Sequence, residues 1–440
     1  MSKQLAAALA IAAALMLAPA AQARPTVAVG PLGSGQVGAD VTFAEGTVHI
    51  DTIYTVPEPD PSIFNNLTGL INRAEPGSYI AGAIYSIDDD NAIDTALQAA
   101  AGRGVDLWLV LDSDPDHDNT AAFADWTAAQ KSNLHYRKCE RGCLSTTPDD
   151  ANGHAAIQHM KYYTFSRTQR YAGGAFSPAA WVGSANSDAN TGLNASNNAV
   201  SIFSDSNLNA ELEKVFRDQW KGAVPVDQSP YPPYFDYYIW PATPTFPRQT
   251  EGNGAFFSST SGTVGIFSPD QDGDRDESKD LWKVQLGMLQ PPPLSSGQLC
   301  RVVAFQNHLD TARFAAVHEF SRLAEAGCKV QIVANFIDKP GVEDDDVEIG
   351  DRVRKDLCED TSGDLTIIAV RKMHQKAVAA NAMFNGSWRS TVWTGSHNLS
   401  GPALNRNDEI LFRLDSAPKL ADEFFREWGI LNTDPPVRVC

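Results

Sequence analysis

Two stretches of this 440-residue chain decide its reading: HMKYYTFSRTQRYAGGAFSPAAWVGSAN at residues 159–186 and HQKAVAANAMFNGSWRSTVWTGSHN at residues 374–398. Each opens on His-x-Lys (His159 and Lys161; His374 and Lys376) and closes on Gly-Ser-x-Asn (Ser184 and Asn186; Ser396 and Asn398). In an extended segment residues i and i+2 point to one side, so each His–Lys pair faces one cavity. A Gly-Ser-x-Asn turn after the next strand offers hydroxyl, amide and backbone donors to the same place. Either motif alone is ordinary, since His-x-Lys arises by chance and Gly-Ser-x-Asn is common turn chemistry. Both together, twice and in the same order, argue for duplication.

The flanking sequence repeats as well. In the first half Tyr79 to Tyr85 reads as a buried strand and Asn91 to Ala101 as an amphipathic helix capped by the Asp88 to Asn91 segment. Gly102-Arg103-Gly104 ends that helix, and Val105 to Leu111 is the next strand. In the second half Cys300 to Phe305 is a strand, Arg313 to Glu325 a helix stopped by Gly327, and Lys329 to Ala334 a strand. Strand, helix, glycine stop and strand make a βαβ unit, which favours a parallel or mixed sheet covered by helices. Between the halves lies a segment rich in Pro and aromatics, residues 224–247, including Tyr231, Tyr234, Tyr237, Tyr238 and Trp240. It reads as a linker that packs between the domains or faces a lipid surface. The expected organisation is therefore a leader over 1–23, a first half over 24–223, the linker over 224–247 and a second half over 248–440.

Lys3, the apolar run from Leu5 to Leu17 and the small-x-small triplet Ala21-Gln22-Ala23 read as a signal peptide, with the mature chain starting near Arg24. The run is short for a membrane span, so a secreted protein is expected. Hydrophobic residues are 43% and charged residues 20% of the chain, a globular balance that excludes disordered and fibrous classes. The net charge of −19 suits a surface for holding polyanions poorly, although it leaves room for a local basic pocket. Six cysteines in an exported chain predict three disulfides. Cys139 and Cys143 are close enough to bridge within one turn. Cys328 and Cys358 each follow a helix and are expected to meet at a sheet edge, leaving Cys300 with Cys440. The cysteine spacings do not form the two close pairs of a zinc site. Asp270 to Glu277 alternates carboxylates, yet it lacks flanking helices and a well-placed bidentate Glu, so it reads as a solvated acidic loop. Asp344 to Asp346 and Asp112 to Asp118 read the same way.

Joining the two motif pairs puts two imidazoles, two ammonium groups and two amides around one point. Such a set stabilises charge on phosphoryl oxygens. One imidazole can attack phosphorus while the other protonates the leaving oxygen, and the lysines take the electrostatic place of a metal.

The paired motifs resemble those of the phospholipase D superfamily, whose signature is His-x-Lys-x4-Asp followed by Gly-Ser-x-Asn. The resemblance spans most of the mature chain, including the Arg103-Gly104-Val105 corner and its counterpart Gly327-Cys328-Lys329-Val330. It implies an α/β fold of duplicated α/β/α domains with mixed, mostly parallel sheets and the active site at their interface. It also implies a phospho-histidine intermediate and no cofactor or metal. His159 and His374 would then be the catalytic pair, Lys161 and Lys376 the phosphate clamps, and Asn186, Asn398, Ser184 and Ser396 the remaining phosphate contacts. Glu409 fits the family's carboxylate that orients a histidine of the opposite half, so it is expected to hold His159 as the nucleophile, with His374 as general acid and then base. Two departures stand out. The motif Asp is replaced by Ser166 and Asn381, and the first half has Asn198-Ala199-Val200 where the second has Asn407-Asp408-Glu409. Asp188 is the candidate substitute for the missing carboxylate. The expected activity is hydrolysis of the head-group phosphodiester of phospholipids by a monomer at a membrane or micelle surface. The alternatives are a metal-independent nuclease or other phosphodiesterase, and a non-catalytic phosphate-binding relative. The acidic charge counts against nucleic acid.

Overall fold

The computed structural model describes residues 28–29, 35–43, 46–55, 60–89, 91–113, 119–140, 142–144, 155–222, 224–225, 255–258, 263–267, 280–336, 347–359, 362–405, 407–415, 418–433 and 437–440. The expected signal peptide, the acidic runs at 270–277 and 344–346, and all of the linker beyond Pro225 lie outside these residues.

The first half contributes strands β1 (Ala28–Val29), β2 (Gly35–Phe43), β3 (Gly46–Tyr54), β4 (Tyr79–Ile84), β5 (Asp106–Asp112), β6 (Leu134–Cys139), β7 (Tyr162–Gln169), β8 (Phe176–Gly183), β9 (Asn198–Phe203) and β10 (Val224–Pro225). Its helices are α1 (Ser62–Asn72), α2 (Ala92–Gly102), α3 (Ala128–Lys131) and α4 (Ser206–Gly222). The second half contributes β11 (Ala255–Ser258), β12 (Thr263–Phe267), β13 (Leu289–Gln290), β14 (Arg301–Gln306), β15 (Lys329–Phe336), β16 (Leu365–Arg371), β17 (Lys376–Phe384), β18 (Ser387–Gly395), β19 (Glu409–Asp415) and β20 (Val437–Arg438). Its helices are α5 (Leu281–Gly287), α6 (Phe314–Glu325), α7 (Asp351–Cys358), α8 (Gly401–Asn405) and α9 (Pro418–Leu431).

The strands form two sheets, ordered β1-β2-β3-β9-β8-β7-β4-β5-β6-β10 and β11-β12-β19-β18-β17-β14-β15-β16-β20. The central motif is the same in both. The βαβ units read from sequence are present, with β4 parallel to β5 and β14 parallel to β15, and β6 and β16 extend the parallel run. Asn91 caps α2 by accepting from the amides of Ile93 and Asp94. Gly104 and Gly327 take φ of 86° and 92° after α2 and α6, a conformation that only glycine adopts readily.

The sheets are mixed, as expected, but not mostly parallel: every other pairing of the named strands among the described residues is antiparallel. The reason lies in the motif stretches themselves, which fold as the hairpins β7–β8 and β17–β18. Asn385 and Gly386 supply φ of 48° and 78° at the second hairpin's turn, the combination a tight primed turn requires. A short hairpin connection can only pair strands antiparallel. Val224–Pro225, read as the start of the linker, instead pairs with β6.

Three apolar cores explain the layering. One joins α1 and α2 to the outer face of the first sheet, through residues such as Leu67, Leu97 and Trp181. A second joins α5, α6 and α7 to the outer face of the second sheet, through Trp282, Phe320 and Trp393. The third is shared. It packs Phe216 and Trp220 of α4 and Phe424 and Trp428 of α9 between the inner faces of both sheets. Burying both inner faces against these helices makes the halves one body, and a site at their junction inherits that rigidity.

The three expected disulfides form, but two pairings differ. Cys139 bonds Cys143, as read. Cys300 bonds Cys328 and Cys358 bonds Cys440. Cys300 and Cys328 each precede one of two neighbouring parallel strands, β14 and β15, so their Cα atoms stand 4.6 Å apart. The terminal strand β20 pairs with β16, which carries Cys440 to the end of α7. No helix among the described residues is long and apolar enough to cross a membrane.

Candidate active site

The halves meet through two matching seams. Gln158 bridges Asp408, and Ser196 bridges Met373. The His159 amide donates to Asp408 O at 3.0 Å, and the His374 amide donates to Ser196 O at 2.8 Å. Each His-x-Lys is thus an extended entry to its strand, pinned to the opposite half. Asp408 is itself held, since its carboxylate accepts from the amides of Cys143 and Leu144 at 2.5 and 2.9 Å. The Cys139–Cys143 bridge therefore shapes the turn that supports the first seam.

Both histidines line one cavity of about 540 Å³, with Asn186, Asn398, Tyr85, Asp88, Asp188, His308 and Asp310 among its walls. Lys161 and Lys376 lie beneath, 2% and 0% exposed. Their Nζ atoms donate to the carbonyls of His159 and His374 at 2.6 and 2.7 Å. Lys161 Nζ also sits 4.8 Å over the Tyr85 ring, which meets the His159 ring edge-on. The amide oxygens of Asn186 and Asn398 are buried without a hydrogen-bond partner. These are acceptors left for a donor on a ligand, whereas a phosphoryl oxygen would be met by the amide nitrogens.

The expected Glu409–His159 contact is present: Nδ1 lies 2.9 Å from both carboxylate oxygens. Ser396 Oγ also donates to Glu409. In the first half Ser184 Oγ donates to Asn197 Oδ1 at 2.9 Å. The two serines, expected to touch substrate, instead brace the groups that hold the histidines. Asp188 does not replace the missing carboxylate, because it accepts from the amides of Thr191 and Gly192 and from the Thr191 hydroxyl. Asn197 occupies that place, with Oδ1 2.9 Å from His374 Nδ1. Sequence reading missed it by aligning Asn198 with Asn407. Counting from the motif amide finds it, since Asn197 follows Asn186 by the same interval as Glu409 follows Asn398. His308 was expected to line the approach to the site, with no motif to single it out. It lines the cavity with Nδ1 3.0 Å from Glu348. Ser166 and Asn381, at the motif Asp positions, sit on β7 and β17, away from the cavity. Ser166 exchanges hydrogen bonds with the Tyr79 backbone.

Gly395 shows why the motif needs its glycine. Its φ is 150° and a Cβ there would lie 2.1 Å from Ile410 O, so any side chain would push β18 off β19 and displace Ser396.

Burial, then the Lys161 and Lys376 ammonium groups and the neighbouring His308, hold the His159 imidazole well below its ordinary value. His374 is held down in the same way, by burial, then Lys376, Lys161, His159 and His308. Burial also lowers Lys161 to about 7, against the pull of Glu409, Asp188 and Asp112, and Lys376 is pushed well down. Burial pushes Glu409 up, opposed by His397, Lys161, Ser396 and Lys376. Burial thus works against positive charge on all four groups, and an entering phosphodiester anion favours it.

Fold and site together define a duplicated α/β protein with one His-x-Lys and one Gly-Ser-x-Asn from each half around a shared cavity. The profile of the family described as "Cardiolipin synthase, PLD-like domain" matches residues 67–220 and 297–428, and the chain belongs to this family within the phospholipase D superfamily. The chain is similar in fold to phosphatidylserine synthase from Haemophilus influenzae Rd KW20, with 13% identity, a TM-score of 0.54 and coverage of 89% of this chain and 88% of that one. Polyphosphate kinase from Porphyromonas gingivalis matches at 13% identity and a TM-score of 0.48, covering 88% of this chain and 50% of that one, so the chain spans half of that protein's length. The phospholipase D family member Nuc from Salmonella typhimurium matches at 20% identity and a TM-score of 0.30, covering 41% of this chain and 99% of Nuc. No curated protein matches the sequence.

Proposed function

We propose that this protein is a secreted phospholipase D-type phosphodiesterase that hydrolyses the head-group phosphodiester of phospholipids. The observation that carries the reading is the composition of the cavity shared by the two histidines. It combines a His-x-Lys from each half, with both lysines buried, and a lining that also carries Asp88, Asp188 and Asp310. The lysines answer one phosphodiester charge. The carboxylates repel the next phosphate of a polyanion such as DNA, while leaving a neutral or cationic head group unopposed. The whole-length fold likeness to a phosphatidylserine synthase, the three disulfides and the leader-like first residues support the same reading.

In this mechanism Nε2 of His159 attacks phosphorus while Glu409 holds the Nδ1 proton. The P–O bond to the head group breaks, and His374 Nε2 gives its proton to the leaving oxygen. Water then attacks the phospho-histidine, His374 takes the water's proton, and the P–N bond breaks. Lys161, Lys376, Asn186 and Asn398 stabilise the phosphoryl oxygens in both steps.

Purified mature protein in EDTA is expected to release choline from phosphatidylcholine vesicles and to leave plasmid DNA intact. Nicked DNA without choline release would replace the lipase reading with a nuclease one. The pH dependence follows from burial. Turnover requires His374 protonated and His159 neutral, and both imidazoles are held below the ordinary value. As pH rises above the native His374 value the proton is lost and the rate falls. The optimum of kcat/KM is therefore expected below about pH 6.5, the ordinary imidazole value. A plateau extending through pH 8 would show that His374 is not the acid.

A further inference from the structure

We propose that Asn197 is the positioning residue of His374, and that a neutral amide on this imidazole, opposite a carboxylate on the other, is what divides proton donor from nucleophile. The proposal rests on the hydrolytic reading above. Its geometric basis is an exact structural match of unlike residues. The Ser184 amide donates to Asn198 O at 2.9 Å and the Ser396 amide to Ile410 O at 3.0 Å. The amides of Asn198 and Ile410 each donate back to the serine hydroxyl, at 3.1 Å in both halves. Each serine hydroxyl then reaches the residue that faces a histidine of the opposite half, Asn197 in one and Glu409 in the other. The frames are equivalent, and only the orienting group differs.

The surroundings require that difference. Asn197 Nδ2 donates to the carbonyls of Thr191, Gly192 and Ala195 at 2.8, 3.0 and 3.1 Å. Those three acceptors fix which way the amide points, so Oδ1 faces His374 and Nδ1 of His374 carries the proton. A carboxylate at 197 would turn an oxygen toward three carbonyls. Glu409 meets donors instead, from Ser396, from His159 and from Asn407 at 3.4 Å.

The chemistry separates accordingly. When His159 Nε2 bonds phosphorus its ring becomes cationic, and the Glu409 carboxylate stabilises that charge. His374 has its tautomer fixed by Asn197 but receives no countercharge from it. Lys376, Lys161, His159 and His308 all act on His374, and although Asp88, Asp188 and Asp310 share the cavity lining with it, the group that meets its Nδ1 is the neutral amide of Asn197. Protonated His374 is therefore a strong acid, suited to expelling a poor alkoxide leaving group.

The test compares two probes, bis(p-nitrophenyl) phosphate, whose leaving group needs no proton, and a phosphodiester with an alkyl leaving group. Asn197→Leu is expected to slow release of the alkyl group by about 10²-fold and to leave the p-nitrophenolate burst within about 3-fold of wild type. Glu409→Gln is expected to slow the burst itself. A merely structural role for Asn197 would slow both probes alike, and that result would overturn the proposal. Should Asn197→Leu fail to fold, Asn197→Ala carries the same comparison. NMR of the labelled histidine rings gives a readout independent of any substrate: in Asn197→Leu the His374 ring is expected to move, losing its fixed Nδ1–H tautomer, while the His159 ring stays unmoved. An unmoved His374 ring would sink the proposal. A moved ring in a protein that turns over neither probe would instead sink the hydrolytic reading.

Discussion

Removing the His159 imidazole is expected to abolish turnover, with kcat falling at least about 10⁴-fold in His159→Ala, whereas His374→Ala, given a leaving group that needs no proton, is expected to fail later in the cycle. The distinction follows from the site. His159 is the ring that Glu409 grips through Nδ1 at 2.9 Å, so its Nε2 is presented to the cavity as a base-strengthened nucleophile. Without it no P–N bond forms and no product appears from any leaving group. Without His374 the attack still occurs when the leaving group is p-nitrophenolate, which departs unprotonated. The phospho-histidine then persists, because no base remains to activate water. Rapid mixing of His374→Ala with bis(p-nitrophenyl) phosphate should give a burst equal to the enzyme concentration and then almost no turnover. Peptide mapping after an alkaline quench should find the p-nitrophenyl phosphoryl group on His159. A burst in His159→Ala, or that group on His374, would reverse the assignment.

What was legible before the structure follows a physical pattern. The two βαβ units were readable because buried strands and amphipathic helices leave periodic apolar signals, and glycines at positive φ mark their stops. The motif repeat was readable because reactive groups must sit at fixed intervals along an extended strand. The mostly parallel expectation failed because the βαβ units were generalised to the motif hairpins, although Asn385-Gly386 carried the opposite signal. The disulfides failed because pairing depends on which strand ends are neighbours. Cys300 and Cys328 meet only once β14 and β15 are known to be parallel partners. Asn197 was missed for a different reason. An amide was not expected to fill a carboxylate's place, and the interval from the motif amide, which does identify it, was not counted. The serines were placed correctly and given the wrong contact, because a hydroxyl beside a site can serve the ligand or the group that orients the catalyst, and only packing decides between them.

The lysines separate stability from function most sharply. Lys161→Met is expected to lower kcat/KM by about 10²–10³-fold while raising the melting temperature by about 1–3 °C. Lys161 is 2% exposed, and its Nζ donates to one carbonyl, so an ammonium with capacity for three hydrogen bonds is left incompletely served in a desolvated place. The sign of the linkage is definite. Its native value is lowered to about 7 from an ordinary 10.5. As pH falls from about 10.5 the unfolded chain takes up a proton that the native chain does not accept until near 7. Native stability therefore declines across that window and stays reduced below it. A methionine of similar length keeps the packing and removes the penalty, so the gain should be visible at pH 7 and absent near pH 11, where the lysine is neutral in both states. Adding a phosphate-diester analogue should raise the melting temperature of the wild type and not of Lys161→Met, because the anion supplies the charge the wild-type site lacks. If Lys161→Met melts several degrees lower at pH 7, the lysine is part of the scaffold and not a strained group reserved for the phosphoryl oxygens.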